Sequence, residues 1–257
     1  MRVAVFSDVH GNLTALEAVL ADIKQQAPDW IIFAGDLCAA GAQPAACLTL
    51  VRETADFSVY GNTDEWLHSP LPLSDDLSDE ERQRWRVFGD MFNWTSDEVG
   101  AEGVNWLSRL PFSVRVSPTA VSTDALVVAH ANPVDVTQPI FPSAADQKAI
   151  AGKVKNEQPD ADIEGLFVGF ETAVFAYGHV HVPNIRRLGN LVLANISSVS
   201  IPQDGDIRAK YGLLTWEKAV GWSIEQRRIE YNLQQELDVL AQKRPPDWEN
   251  LSKRLQV

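Results

Sequence analysis

The chain has 257 residues, 45% of them apolar and 22% charged, enough to bury a full core in one large domain or in a domain with an insertion. Its 22 basic and 35 acidic side chains leave a net charge of −13, the wrong sign for holding long DNA or RNA by phosphate neutralisation. Two cysteines, Cys38 and Cys47, are too few for a disulfide framework or a zinc knuckle and fit a reducing compartment.

The opening apolar run stops before Ser7 and Asp8, too short for a signal peptide or a membrane span, so the expected location is the cytoplasm, with no membrane partner. "RVAVFSD" (Arg2 to Asp8) reads as a buried strand, and Leu13, Leu16, Val19, Leu20 and Ile23 then recur at helical spacing until Pro28. "WIIFAGD" (Trp30 to Asp36) is a second strand, Pro44 opens a helix that runs to about Thr54, and "FSVYGN" (Phe57 to Asn62) is a third strand. This β-α-β-α-β order predicts parallel strands joined by right-handed crossovers.

From Glu65 to about Pro111 (65–111) the pattern turns to polar helices, with Ser78 and Glu81 spaced as a capping box, and reads as an inserted helical subregion. Strands resume with "FSVRV", "ALVVAH", "TAVFAYGH" and "NLVLANI", and a hairpin is expected across "YGLLTW" and "WSIEQRRIEY". This half reads as the more antiparallel one. A helical tail (233–257) starts at Leu233, and no internal repeat is visible.

What stands at the strand ends carries the chemistry. The first strand finishes in Asp8-Val9-His10, the second in Gly35-Asp36, the third in Gly61-Asn62, a later one in His130, and another in Gly178-His179-Val180-His181. Each has an ordinary reading alone: Asp8 caps the next helix, His130 is a hydrogen-bonded core residue, the glycine dipeptides are turns, and the H-x-H pair faces solvent. Yet four of the chain's five histidines fall at such ends. The carboxyl ends of parallel strands converge on one crevice, and side chains two apart in an extended segment point the same way, so these donors together predict a metal site.

D-x-H, G-D, G-N-x-D, a lone histidine after an apolar strand, and G-H-x-H, in that order from Asp8 to His181, resemble the calcineurin-like metallophosphoesterase superfamily. "FSDVHGNLTALEAVL", "AHANP" and "SSVSIPQDGDIRA" are similar to its bacterial and archaeal branch of small phosphoesterases, a likeness that extends to about Tyr231. The resemblance implies an α/β fold, a four-layer α/β/β/α sandwich of two mixed sheets, here as a single domain with the helical insertion. It also implies two divalent transition-metal ions, the first held by Asp8, His10 and His181, the second by Asn62, His130 and His179, with Asp36 bridging. Nitrogen and oxygen donors without thiolate suit manganese, iron, cobalt, nickel or zinc better than magnesium or calcium, and manganese is the ion expected. Such ions, roughly 3.5–4 Å apart, bind phosphate oxygens and lower the pKa of a shared water, giving hydroxide for in-line attack on phosphorus. The implied substrate is a small phosphodiester or phosphomonoester, nucleotide-like compounds included.

Two departures stand out. Many family members have G-N-H-[DE], with a histidine that stabilises or protonates the leaving group, whereas this chain has Gly61-Asn62-Thr63-Asp64. Thr63, Asp64 and His68, the fifth histidine, are the auxiliary candidates near that position. The missing histidine keeps open an alternative: a metal- or nucleotide-binding regulator on the same fold, although the full set of seven ligands favours turnover. Many members also have G-D-x-x-D-R, and Gly35-Asp36-Leu37-Cys38-Ala39-Ala40 lacks it, which argues against a phosphoprotein phosphatase. Cys38 is expected as a packed thiol rather than a ligand. Trp66, Trp85, Trp94 and Trp106 of the insertion either stack a flat leaving group or, the preferred reading, form a small helical core over the site. Arg82, Arg84 and Arg86 spread around a helix and form no phosphate clamp.

Overall fold

The computed structural model describes residues 1–69, 77–154 and 156–256; residues 70–76 of the expected insertion and Val257 of the expected tail lie outside them. In chain order the first elements are β1 (Arg2–Phe6), α1 (Leu13–Gln26), β2 (Trp30–Phe33), α2 (Pro44–Thr54), β3 (Phe57–Ser58), α3 (Asn62–Trp66) and α4 (Asp79–Leu107). There follow β4 (Ser113–Val116), β5 (Leu126–Ala129), α5 (Ala144–Ala151), α6 (Asp160–Leu166), β6 (Val174–Tyr177), β7 (Asn184–Leu188) and β8 (Leu191–Asn195). The chain ends in β9 (Ala209–Glu217), β10 (Gly221–Ile229), α7 (Leu233–Lys243) and α8 (Trp248–Arg254).

Alternation along the strands sets the layers, because successive strand residues point to opposite faces. Ala4 and Phe6 of β1 pack with Leu16 and Val19 of α1 and with Cys47 and Leu48 of α2. Val3 and Val5 face the other way and join Leu126, Val128, Val174 and Ala176 in a core between the two sheets. The remaining residues of β5 and β6, among them Val127, Phe175 and Tyr177, meet Ile163 of α6. The order is therefore helix, sheet, sheet, helix, the α/β sandwich that the resemblance implies.

The first sheet runs β10-β9-β1-β2-β3, with β1, β2 and β3 parallel and β9 antiparallel to β1. The second runs β4-β5-β6-β8-β7, with β5, β6 and β8 parallel and antiparallel strands at both edges. The second half is the more antiparallel one, as expected: β4–β5, β7–β8, β9–β10 and β9–β1 all pair antiparallel, although β5, β6 and β8 at the centre of the second sheet are parallel and the β9–β10 hairpin completes the first sheet. The short strand β7 was not expected because Arg186 and Arg187 hide its pattern. Arg186 is nonetheless buried, its guanidinium held by Asp160 and by the carbonyls of Phe141 and Gln158.

Local sequence explains the helix ends. The Asn12 side chain accepts the Ala15 amide at the start of α1, and Pro44 opens α2 where no amide donor is needed. Ser78 and Glu81 form the expected capping box of α4, which bends at Gly100, where φ is 67°. Among the described residues no helix is long and apolar enough to cross a membrane.

Candidate metal centre

Strands β1 and β2 end earlier than the sequence predicts, because the residues beyond them leave extended geometry. Asp8, His10, Asp36, His179 and His181 have φ of 56°, 46°, 59°, 66° and 55°. Positive φ costs a non-glycine residue about 1–3 kcal/mol, and five such residues here lie at the ends of strands from both sheets. Glycine is required where these loops touch: a Cβ on Gly178 would strike the Asp8 carboxylate, and one on Gly61 would strike Asp36.

Main-chain carbonyls orient three of the rings. Nδ1 of His10 lies 3.0 Å from the Cys38 carbonyl oxygen, that of His130 3.0 Å from Ala34, and that of His181 2.6 Å from Ile201. A carbonyl only accepts, so Nδ1 carries the proton and Nε2 turns a lone pair inward. In one cluster the Nε2 atoms of His10 and His181 stand 3.3 Å apart, and Oδ1 of Asp8 is 3.2 Å from His181 and 3.8 Å from His10. That Asp8 oxygen is buried and receives no hydrogen bond, while its Oδ2 accepts the His179 amide at 3.0 Å.

A second cluster sits beside the first. Oδ1 of Asn62 lies 3.0 Å from His130 Nε2 and 2.9 Å from His179 Nδ1, and those two nitrogens are 3.2 Å apart. Asp36 reaches both clusters, with Oδ2 3.8 Å from His10 and Oδ1 3.4 Å from His130. Asp8, His10 and His181 present ligand atoms within 4.8 Å of one another, and so do Asp8, Asp36 and His130.

Burial lowers the pKa of His10 and His130, and burial with the neighbouring His130 takes His179 down to about 4, which keeps these rings neutral as ligation requires. Burial opposes charge on His181 as well, but the facing Asp8 carboxylate raises it above the usual histidine value. Burial also works against charge on Asp8, yet His181 and the other rings hold it below the ordinary carboxylate range; burial and Asp8 itself push Asp36 up. Inward-facing lone pairs around an orphaned carboxylate oxygen fit a divalent cation, which satisfies all of them at once. Cys38 stays outside this set: its thiol is packed in the core beside Leu37 and Cys47, and burial pushes its pKa up.

The auxiliary candidates separate. Asp64 is fully buried and does not line the cleft; its Oδ2 accepts the amides of Asp36 and Gly61 at 2.8 and 3.0 Å, its Oδ1 those of Leu37 and Cys38 at 3.0 and 3.3 Å. Burial and the adjacent Asp36 raise its pKa to about 7, and its part is that of a brace for the Asp36 loop. Thr63 does line the cleft, but its hydroxyl donates to the Cys38 carbonyl at 3.1 Å and its amide to Asp36 Oδ1 at 2.9 Å. His68 is exposed beyond α3 and is not among the cleft-lining residues.

The cleft has a volume of about 310 Å³, with His10, Asp36, Asn62, His179 and His181 at its base. Trp66, Phe88, Met91, Ile201, Leu251 and Arg254 stand around it. Between α3 and α4 the aromatic rings form a half-exposed cluster, in which Trp66 meets Phe92 edge-on at 5.9 Å and Phe88, itself exposed, packs on Trp85 and Phe92. Of the four tryptophans only Trp66 reaches the cleft lining. Arg84 pairs with Glu80 on the surface. Sequence reasoning did not find Phe88, Met91 or Arg254, nor the carbonyls of Ala34, Cys38 and Ile201. A carbonyl leaves no trace in residue type.

The family model for calcineurin-like phosphoesterases matches residues 1–183. An uncharacterized protein of Methanocaldococcus jannaschii is 28% identical over 264 residues, covering 96% of this chain and 94% of its own. The crystal structure of a metallophosphoesterase from Sphaerobacter thermophilus is 27% identical, with a TM-score of 0.72 over 99% of this chain and 98% of that one. A hypothetical protein from Pyrococcus horikoshii OT3, 15% identical, shares the fold with a TM-score of 0.73 over 99% and 97% of the two chains.

Proposed function

The chain belongs to the calcineurin-like phosphoesterase family, and we propose that it hydrolyses a small phosphate ester with two divalent metal ions, manganese first among the candidates. Asp8, His10 and His181 would hold one ion, Asn62, His130 and His179 the other, and Asp36 would touch both. The buried Oδ1 of Asp8, facing the Nε2 atoms of His10 and His181, is the observation that carries this reading. Bound there, two divalent cations supply positive charge for phosphate oxygens and acidify the attacking water.

The chain's own groups do the rest. The carbonyls of Cys38, Ala34 and Ile201 lock the tautomers of His10, His130 and His181, and the Asp64 brace with the Thr63 amide aims Asp36. Trp66, Phe88 and Leu251 give one side of the cleft an apolar wall against which the organic part of a phosphate ester would pack. At about 310 Å³ the cleft is at the small end of the range for small-molecule sites, and a net charge of −13 disfavours long nucleic acid. Two buried free thiols support a cytoplasmic location.

The test is turnover of bis-p-nitrophenyl phosphate and p-nitrophenyl phosphate by metal-depleted protein, before and after manganese is restored. Activity that returns with the metal supports the proposal. A protein that binds metal but turns over neither ester would be the regulator instead.

A further inference from the structure

His179 borders two clefts. Beyond the one described above, a second, of about 360 Å³, is lined by His179 together with Phe141, Pro142, Ile150, Val180 and Val182. Its outer wall is built, not incidental. The buried Arg186 holds the Phe141 carbonyl at 3.1 Å, Gln158 accepts the Phe141 amide at 3.0 Å, and the Gln147 side chain ties the Pro142 carbonyl to α5 at 2.9 Å. Both clefts therefore meet at a residue of the candidate centre, and both present aromatic and aliphatic walls.

A phosphomonoester carries one organic group and would leave one of these clefts unused. A phosphodiester carries two. We propose that the substrate is a phosphodiester with a bulky apolar or aromatic group on each ester oxygen, one seated against Phe88 and Met91, the other against Phe141 and Ile150, with phosphorus between them. This rests on the phosphoesterase reading and adds the substrate class to it. Met91 and Ile150 are then specificity-determining residues, one for each group.

Binding of phosphinates to the metal-loaded protein, followed by calorimetry, tests this without turnover, since carbon–phosphorus bonds are not hydrolysed. Diphenylphosphinate and methylphenylphosphinate have the same charge and differ by one ring. The proposal expects the diphenyl compound to bind at least about tenfold tighter, the effect of one well-buried aromatic ring. Ile150→Trp and Met91→Trp, each filling one cleft, should each bring that ratio below about threefold while methylphenylphosphinate binds as before through the open cleft. That unchanged affinity also shows that the variants are folded; Ile150→Phe and Met91→Phe replace them where it is lost. Equal affinities in the wild type, or a ratio that survives both fillings, would overturn the bipartite site. Loss of ester turnover with the phosphinate preference intact would overturn the phosphoesterase reading alone.

Discussion

Oδ1 of Asp8 stands 3.2 Å from Nε2 of His181, whose other nitrogen is already committed to the Ile201 carbonyl at 2.6 Å. A cation between them turns an electrostatic cost into ligation, so binding and folding are linked. Manganese at a hundredfold its dissociation constant should add about 2.7 kcal/mol of stability, which for a chain of this size is roughly 5–11 °C in Tm. His181→Ala should lose most of that shift. A melting curve indifferent to manganese and to chelator would contradict the linkage.

Thr63 follows Asn62 where the family resemblance leads one to expect a histidine, and its hydroxyl donates to the Cys38 carbonyl. It cannot act as a cationic acid, and a positioned general acid contributes roughly 10²–10⁴-fold. Aryl esters should therefore react much faster than alkyl esters, with a steep dependence of log rate on leaving-group pKa. Thr63→His should raise alkyl-ester turnover at a stability cost of about 1 kcal/mol for the lost hydrogen bond. The exposed His68 should not matter: a shallow dependence that steepens in His68→Ala would make that residue the acid.

Asp64 receives four backbone amides, two on each oxygen. Asn at this position keeps one accepting oxygen and turns an NH₂ group towards two of those donors. Asp64→Asn should cost about 1–3 kcal/mol and, by loosening the Asp36 loop, lower metal affinity roughly 10–100-fold. Isothermal titration with manganese and a urea melt measure the two effects. Wild-type metal affinity in the variant would show that the brace does not position Asp36.

Glu236 of α7 is fully buried beside Thr14. Burial raises its pKa above the ordinary glutamate value, with Thr14 offsetting that only in part. A raised folded-state pKa means that the acid's contribution is fully present below the unfolded value and is lost as pH rises through the folded one. Glu236→Gln should therefore gain in Tm relative to wild type between pH 5 and pH 8. A difference that stays constant across that range would show that Glu236 does not titrate with folding.

The residues of the candidate centre were legible in the sequence because histidine, aspartate and asparagine stand out at strand ends, and Asp8, His10, Asp36, Asn62, His130, His179 and His181 converge on one cleft base as the strand-end argument expects. The first sheet was legible for a related reason: Val3, Val5, Ala4 and Phe6 must each face a core. Backbone work was not. The carbonyls that fix the rings, the left-handed turns that end β1 and β2, and the bend at Gly100 depend on conformation that residue type only weakly encodes. The cleft walls escaped too, since Met91 and Arg254 acquire their place only when α4 and α8 pack around the same opening.

The central claim is a pair of ions joined through Asp36, whose two oxygens face His10 and His130 at 3.8 and 3.4 Å. Elemental analysis of manganese-supplemented, desalted protein, run beside Asp36→Ala, tests it most directly. The account predicts close to two ions per wild-type chain, with the variant holding at most one and retaining under about a hundredth of the wild-type turnover of bis-p-nitrophenyl phosphate. One ion or none in the wild type, or an Asp36→Ala variant with undiminished metal content and turnover, would contradict it.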